Sequence, residues 1–233
     1  MGSWAAEALA RSGVGALTLI DLDHVAESNI NRQVHALERT LGQAKVEAMR
    51  ERIAGIHPGA RVTAIDDFVT PENAAALMRG FDVVIDAIDS VRSKVAIAVA
   101  CRDAAITLVV AGGAGGKSDP TRIRVADLSR TVQDPLLAKM RRELRARHGY
   151  PRDPRRKFGI TAVYVDEPLR FPVQCAEEAV PDGDVAARHA PQGLACAGYG
   201  SSMVMTASVG LFAASEAMNY LMDDDSRLVE NRG

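Results

Sequence analysis

Cysteine is scarce in this chain of 233 residues. Cys101, Cys175 and Cys196 make an odd number, and no two of them form a C-x-x-C pair. This pattern argues against a disulfide framework and against a four-cysteine zinc site. We therefore expect a protein that works in the reducing cytoplasm.

Long apolar runs and a charge excess are also missing. The longest apolar stretch, 203–222, is interrupted by Ser208, Ser215, Glu216 and Asn219, and the first residues carry no basic-then-apolar signal region. We therefore expect no membrane partner. The 28 Lys and Arg residues nearly balance the 30 Asp and Glu residues, so the net charge of -2 does not indicate a polyanionic partner.

Apolar strands alternate with helical patterns along most of the chain. This alternation predicts an α/β fold of the Rossmann-like, doubly wound type, with a mostly parallel sheet and helices on both faces. The predicted strands are Ala16–Ile20, Arg61–Ile65, Asp82–Ile88, Ile106–Ala111 and Thr121–Leu128. The predicted helices begin near Ser3, Gln43, Thr70, Val91, Pro135 and Met203. Five of them have a predicted end, near Gly13, Ile56, Ala104, His148 and Met222.

Two of the predicted strands end in aspartate, at Asp21 and at Asp89. The carboxyl ends of parallel strands share one edge of a sheet, where ligands bind in open α/β folds. An acid at such a strand end can accept hydrogen bonds from ribose hydroxyls. A turn residue or a helix cap is the alternative interpretation of each aspartate.

Amides and cations follow the first of these acids. Asn29, Asn31 and Arg32 form a polar loop. We place Lys45 at the third position of a helix that opens near Gly42, where backbone N–H groups favour anions. Arg32 and Lys45 can both contact phosphate, and solvated surface residues are the alternative.

Two further patterns bear on the same edge. Asp86 and Asp89 are spaced so that one carboxylate can hold Mg²⁺ beside substrate phosphates. The run Gly112–Gly116 lacks the lysine and hydroxyl pattern of a P-loop, so we interpret it as a tight turn. Cys196 precedes the last helix, whose N-terminus could lower the thiol pKa, but a buried structural cysteine is the simpler interpretation.

Positive charge is concentrated between Lys139 and Lys157. The segment holds nine basic and two acidic residues, a local net charge of +7. In a chain of net charge -2, this concentration indicates contact with a phosphate backbone. A solvated helix face is the alternative.

Several stretches together resemble the adenylyltransferases related to ubiquitin-activating enzyme, and within them the tRNA threonylcarbamoyladenosine dehydratases. The resemblance runs from Gly2 to about Met222, and absence of paired C-x-x-C motifs agrees with it. The stretches that carry it are Gly2–Gly13, Ser28–Ala36, Asp66–Pro71, Val84–Arg92, Gly112–Gly116 and Gln133–Leu136.

The resemblance implies an ATP-dependent dehydration of threonylcarbamoyladenosine beside the anticodon of tRNA, through an acyl-adenylate. In that reaction Asp21 would hold the ribose, Asn29, Arg32 and Lys45 the phosphates, and Asp89 the Mg²⁺, with Arg32, Lys45 and Asp89 as the catalytic residues. It also implies a homodimer and, for some relatives, a sulfurtransfer partner. The expected tRNA-binding residues are Arg141, Arg142, Arg145, Arg155, Arg156 and Lys157.

Gly2 marks a departure from the family. It matches the last glycine of a G-x-G-G-x-G phosphate turn, and we expect a truncated form in which the first strand and most of that turn are missing.

We expect one adenylyltransferase domain over 1–233. It comprises a nucleotide-binding core (1–128), a basic helix and a lid or crossover segment (129–195), a closing helix (196–222) and a tail (223–233). The lid prediction rests on 149–195, which hold six of the ten prolines.

Three other functions stay open on the residues alone. An activator of a ubiquitin-like or sulfur-carrier protein would share the same nucleotide site. A nicotinamide dehydrogenase of doubly wound fold would share the glycine-rich opening, but no acid–base partner for hydride transfer is evident. A binding module that contacts tRNA without turnover is the non-enzymatic alternative.

Overall fold

The computed structural model describes residues 1–153, 155–169 and 200–230, with residues 224–230 described by their backbone only. The strands are β1 (Ala16–Ile20), β2 (Arg61–Ile65), β3 (Val83–Asp86), β4 (Thr107–Ala111), β5 (Ile123–Asp127) and β6 (Thr161–Val165). The α-helices are α1 (Gly2–Arg11), α2 (Lys45–Ile56), α3 (Ala74–Leu77), α4 (Val91–Asp103), α5 (Pro135–Arg147) and α6 (Met203–Glu230). None of these helices is long and apolar enough, over the described residues, to span a membrane.

The strands form a parallel pair, β1–β2, and a four-stranded sheet in the order β3-β4-β6-β5. In the larger sheet β3, β4 and β6 are parallel and β5 is antiparallel to β6. The mostly parallel α/β architecture is therefore confirmed. The break between the two sheets lies between β1 and β3, which share an apolar cluster with α1.

Helices cover both faces of the four-stranded sheet. On one face, Leu137, Met140 and Leu144 of α5 share an apolar cluster with Leu108 of β4 and Ala162 of β6. On the other face, α6 provides Met205, Val209 and Ala213, which pack with residues of β4 and β6. The predicted arrangement of helices on both faces is confirmed, and α6 extends to Glu230, past its expected end at Met222.

Helix α1 joins the two sheets. Ala5 and Leu9 of α1 belong to one apolar cluster with Leu17 of β1 and with Val83 and Ile85 of β3. Ala214 and Ala217 of α6 complete that cluster. Because α1 contacts both strands at the break, it fixes the position of β1 relative to β3.

The prediction of a lid over 149–195 is wrong for its first part. Residues 161–165 form β6, which lies inside the sheet between β4 and β5. Phe158 and Gly159 donate backbone N–H groups to the carboxylate of Asp127, at 2.9 and 2.8 Å, and so lie at the amino edge of β6. Residues 170–199, which include Cys175 and Cys196, lie outside the described residues.

One helix cap and two helix starts differ from their predictions. Ser90, and not Asp89, caps α4, since its Oγ accepts from the Ser93 N–H at 3.4 Å. The third helix begins at Ala74 because Thr70 and Asn73 bond each other across a turn, with the Thr70 N–H 2.7 Å from Asn73 Oδ1. Helix α2 begins at Lys45, which is its first residue and not its third.

Gly210 permits the closest approach of α6 to α1. A Cβ at this position would lie 2.5 Å from the carbonyl oxygen of Met1 and 2.9 Å from Trp4 Cβ. We predict that Gly210→Ala lowers the free energy of unfolding by about 1–3 kcal/mol through overpacking. Urea denaturation measures the change.

Gly55→Ala is the matched control, because Gly55 also lies within a helix and a Cβ there would meet nothing within 4 Å. This substitution is expected to raise stability by about 0.5–1 kcal/mol through helix propensity. Equal effects of the two substitutions would contradict the described contact between α1 and α6.

Candidate functional site

Asp21 and Asp89 lie at the same edge of the fold, as the sequence predicts. Asp21 follows β1, and its Oδ1 accepts the Asp23 N–H at 2.9 Å. Burial raises the pKa of Asp21, while the Asp23 amide and the Lys45 charge oppose that rise and the carboxylates of Asp23 and Asp89 add to it. The pKa of Asp21 thus responds to both Lys45 and Asp89, so the three side chains share one electrostatic environment.

Lys45 points to this edge from the first turn of α2. Its Nζ lies 2.7 Å from Oδ2 of Asp23, and its backbone N–H donates to the Asp23 carbonyl at 2.9 Å. The Lys45 side chain is 11% exposed and that of Asp23 is 57% exposed. Because solvent-exposed carboxylates bind lysine weakly, an incoming phosphate can replace Asp23 as the partner of Lys45.

The loop after β1 places Arg32 beside α1 and α6. Its carbonyl oxygen accepts from Trp4 Nε1 at 3.0 Å and from Thr206 Oγ1 at 2.8 Å. Its guanidinium bonds the carbonyl of Ser28 and, at 3.2 Å, Oδ1 of Asn31. Among the described residues no carboxylate pairs with Arg32, so this cation stays available to an anionic ligand.

Asn29 and Asn31 also shape this loop. The buried Asn29 accepts the Ala26 N–H on its Oδ1 at 3.0 Å. Asn31 donates its Nδ2 to the carbonyl of Ser201, just before α6, at 3.0 Å. Both amides therefore hold the backbone that carries Arg32.

Gly2, the first residue of α1, lies against the end of β3. A Cβ at Gly2 would come 3.4 Å from Ala87 Cβ. The N-terminus of α1 is thereby directed to the same edge as Asp21 and Asp89. A helix N-terminus presents free N–H groups and a positive dipole end, which favour a phosphate.

The structure separates the roles of Asp86 and Asp89. Asp86 is buried: its Oδ1 accepts the Ile88 N–H at 3.0 Å and its Oδ2 lies 3.2 Å from Lys94 Nζ. Asp89 is exposed and pairs with no cation in the described part of the chain. Asp86 thus has a structural role, and the carboxylate of Asp89 is available to bind a ligand.

Lys94 is a residue that the sequence interpretation missed. Its side chain is fully buried, and its Nζ donates to the carbonyls of Ala111 at 2.9 Å and Asp86 at 3.3 Å. This one ammonium therefore joins the carboxyl ends of β3 and β4. The sequence feature that could have indicated its burial is its place in an otherwise apolar face of α4, between Val91 and Val95.

The glycine run at 112–116 is a packing device. Gly113 donates its N–H to Asp134 Oδ2 at 2.8 Å, and a Cβ at Gly112 would clash with that carboxylate. Asp134 Oδ1 in turn accepts the Leu137 N–H and caps α5. The run brings the end of β4 against the start of α5, in keeping with the predicted tight turn.

Two further titratable side chains are buried. His35 is 5% exposed, and burial, aided by the Lys45 charge, lowers its pKa to about 4. Burial raises the pKa of the Cys101 thiol to about 12. His35 is therefore neutral near pH 7, and Cys101 is unsuited to act as a nucleophile.

The basic segment lies away from the acids and phosphate-binding candidates. Helix α5 begins at the carboxyl edge, where Asp134 meets Gly113, and ends where Arg102 of α4 donates to the His148 carbonyl at 2.7 Å. Its 13 residues separate the two ends by about 20 Å. Residues 148–153 and 155–157 therefore lie at the opposite edge from Asp21 and Asp89.

The six basic residues predicted to bind tRNA fall into two groups. Arg141 bonds Thr131 Oγ1, and Arg145 donates to the Pro151 carbonyl at 3.1 Å while its guanidinium lies 5.1 Å from the Phe158 ring centre. Arg155 is exposed but pairs with Asp153 at 3.4 Å. In the described ranges no side-chain partner holds Arg142, Arg156 or Lys157, all of which are exposed.

The buried Lys94 and Asp86 form a mutually dependent pair. We predict that Lys94→Met lowers the free energy of unfolding by about 3–5 kcal/mol, because it leaves a buried carboxylate unpaired. Asp86→Asn/Lys94→Met is expected to cost clearly less than the two single changes added together. Asparagine keeps the acceptor for the Ile88 N–H, so the cycle isolates the charge. Strict additivity in chemical denaturation would contradict the pairing.

Comparison with known proteins agrees with this geometry. Residues 1–232 match the ThiF family. The tRNA threonylcarbamoyladenosine dehydratase of Escherichia coli strain K12 is 47% identical over 233 residues, covering 97% of this chain and 84% of that protein. Its namesake from Haemophilus influenzae is 45% identical over 231 residues, with the same coverage of 97% and 84%.

A solved structure gives the same result in three dimensions. The crystal structure of the Escherichia coli tRNA N6-threonylcarbamoyladenosine dehydratase in complex with ATP has a TM-score of 0.84 and 45% identity, and the match covers 97% of this chain and 84% of that one. The chain belongs to the ThiF family, among its tRNA threonylcarbamoyladenosine dehydratases.

Proposed function

We propose that this chain catalyses the ATP-dependent cyclisation of threonylcarbamoyladenosine, next to the anticodon of tRNA, through an acyl-adenylate. The observation that carries the proposal is the geometry of this edge: Asp21 follows β1, Asp89 follows β3, and Lys45 in the first turn of α2 reaches Asp23 beside Asp21, with Nζ 2.7 Å from Oδ2 of Asp23. It is supported by the 97% coverage of this chain by a dehydratase solved with ATP.

The nucleotide would lie along this edge. Asp21 would accept hydrogen bonds from the ribose hydroxyls, and the N-terminus of α1 at Gly2 would face the phosphates. Arg32 and Lys45 would contact the phosphates directly, and Asn29 would assist them with its side-chain amide. Lys45 would exchange the exposed carboxylate of Asp23 for phosphate.

Asp89 fits a magnesium ion bound together with ATP. It is an exposed carboxylate, and Mg²⁺ typically takes one or two carboxylates together with substrate phosphates and water. Asp86 does not compete, since Lys94 and the Ile88 amide engage it. Bound there, Mg²⁺ would neutralise charge on the phosphate oxygens.

The reaction needs activation of a carboxylate. The threonyl carboxylate attacks the α-phosphate of ATP and pyrophosphate leaves; the resulting acyl-adenylate closes a ring and releases AMP. Arg32 and Lys45 stabilise the charge that develops on the phosphates. Ring closure is intramolecular, so no protein nucleophile is required, and neither Cys101 nor Cys196 is assigned that role.

The exposed basic residues Arg142, Arg156 and Lys157 would bind the tRNA backbone. Arg156 and Lys157 follow α5 and are separated from the nucleotide edge by about the length of that helix, roughly 20 Å, whereas Arg142 lies about 10 Å along it. These residues would therefore contact phosphates distant from the reacting adenosine. Arg141, Arg145 and Arg155 have partners within the chain and would contribute less. The segment would thus orient the tRNA and take no part in the chemistry.

The proposal also covers the oligomeric state and the cellular location of the protein. Val204, Leu211, Phe212 and Met222 are exposed apolar side chains along α6, and they support a homodimer. We propose a single adenylyltransferase domain over 1–233, since one family model matches residues 1–232. A cytoplasmic location accords with a tRNA substrate. A sulfurtransfer partner rests on the family resemblance alone.

The activity is tested with tRNA that bears threonylcarbamoyladenosine. We expect this tRNA, ATP and Mg²⁺ to give the cyclic nucleoside, detected by mass spectrometry after gentle digestion as the loss of one water. Arg32→Ala and Asp89→Asn are each expected to lower kcat by about 100-fold or more, because each removes charge stabilisation of the phosphates. Asp82→Asn, at the exposed opposite end of the β3 segment, is the matched control and should not change kcat.

Two results would contradict the proposal. ATP consumption that does not depend on the modified tRNA would contradict the assignment of this tRNA as the substrate. Adenylation of a carrier protein with a di-glycine tail, without any cyclic nucleoside, would instead identify an activator of carrier proteins.

The tRNA surface makes a separate prediction. Arg156→Ala/Lys157→Ala should weaken tRNA binding and reduce the slope of log K against log salt by about 2, while ATP affinity stays unchanged. Arg61→Ala/Arg79→Ala removes two exposed cations elsewhere and serves as the control. Filter binding across a salt series measures both; equal slopes for the two double variants would contradict the assignment.

A further inference from the structure

Lys117 is a second buried lysine, and it directly follows the glycine run. It is 5% exposed. Its Nζ donates to the backbone carbonyls of Gln133 at 2.7 Å and Val165 at 3.1 Å, and to that of Glu167. One ammonium thus binds three carbonyl oxygens from two separate parts of the chain.

The surroundings of Lys117 are anionic. Glu167, itself buried, accepts the backbone N–H groups of Ser118 at 2.9 Å and Asp119 at 3.1 Å. Burial lowers the pKa of Lys117, whereas the carboxylates of Asp134, Glu167 and Asp166 raise it. Converging backbone carbonyls in a negative environment are the ligands that replace the hydration shell of a monovalent cation.

Two of the three carbonyls lie in or beside the lining of a cavity: Gln133 lines it, and Glu167 directly precedes Pro168, which also lines it. The cavity has a volume of about 500 Å³ and is lined by Gln133, Asp134 and Arg141 on one side and by Pro168 and Leu169 on the other. Lys117 bonds Gln133 in the first wall and Glu167, the residue before Pro168, next to the second wall. Gln133 also has a positive φ of 54°, a conformation that needs support from its surroundings.

The cavity opens near the proposed nucleotide edge. Asp134 binds the Gly113 N–H that follows β4, and Pro168 and Leu169 follow the carboxyl end of β6. These are the ends of two parallel neighbouring strands. The distance between the two walls is therefore set at the edge that also carries Asp21 and Asp89.

We propose that Lys117 acts as a tethered monovalent cation. Its ammonium occupies a carbonyl cage that suits a free K⁺ or NH₄⁺ ion, and it thereby holds the two cavity walls at a fixed separation. This inference stands apart from the identity of the substrate, since it concerns a cage formed by the chain itself.

Removing the tether should convert the cage into a site for free cations. Lys117→Gln shortens the side chain, removes its charge and supplies an amide oxygen. We expect its thermal midpoint to fall in tetramethylammonium chloride and to recover in KCl or NH₄Cl at equal ionic strength. Crystals of this variant soaked in RbCl should show an anomalous peak within about 1 Å of the former Nζ position, a match set by the fixed carbonyl positions.

Two further variants control the experiment. Lys117→Met fills the cage without charge, so K⁺ should not restore its midpoint. Lys139→Gln changes an exposed lysine of α5 and should behave as the parent chain in every salt. If Lys117→Gln does not fold in tetramethylammonium, its refolding yield in KCl is compared with that in tetramethylammonium.

Three outcomes would overturn the inference. They are a Lys117→Gln variant with the same midpoint or refolding yield in all salts, recovery of Lys117→Met by K⁺, and an empty cage in the Rb⁺-soaked crystals. None of these measurements uses tRNA, so they are independent of whether the proposed reaction occurs.

Discussion

The buried ammonium of Lys94 is the interaction on which the carboxyl edge of the sheet depends. It contacts the terminal carbonyls of β3 and β4 and the carboxylate of Asp86, and both charged side chains are completely buried. A buried charge without its partner costs several kcal/mol, so the two strand ends cannot separate without a large penalty. Asp89 follows the end of β3, and Gly112 follows the end of β4. The ion pair between Lys94 and Asp86 therefore fixes the geometry of the candidate site.

The cations of the chain divide by what they bind. Lys94 and Lys117 are buried on backbone carbonyls and hold the loops at the strand ends. Arg32 and Lys45 lie at the same edge but are held by groups that a ligand can replace, which is what phosphate binding and charge stabilisation require. The exposed basic residues beyond α5 form a third group at the opposite edge. A reaction between a small nucleotide and a large polyanion needs two sets of accessible cations. Arg32 and Lys45 serve the chemistry, and the exposed basic residues beyond α5 bind the backbone of the tRNA.

Strand and helix order could be predicted from the sequence because it is encoded locally. Apolar runs that end in Asp21 or Asp89 marked β1 and β3, and their parallel arrangement placed these two aspartates together. Strand β6 could not be recognised, because its residues are buried on both faces and show no alternation, within a segment rich in proline. The carbonyl partners of Lys94 and Lys117 could not be predicted either. These partners, such as Ala111 and Val165, are distant in the chain and become neighbours only in the folded sheet.

The central claim is that a substrate carboxylate attacks the α-phosphate of ATP at the edge formed by Asp21, Arg32, Lys45 and Asp89. The most direct test uses tRNA whose threonylcarbamoyladenosine carries ¹⁸O in its threonyl carboxylate. Mass spectrometry of the released AMP measures where the oxygen goes. Attack on the α-phosphate transfers one ¹⁸O to AMP for each cyclic nucleoside formed, and pyrophosphate stays unlabelled. Cyclic product with unlabelled AMP would contradict the acyl-adenylate and, with it, the proposed role of this site.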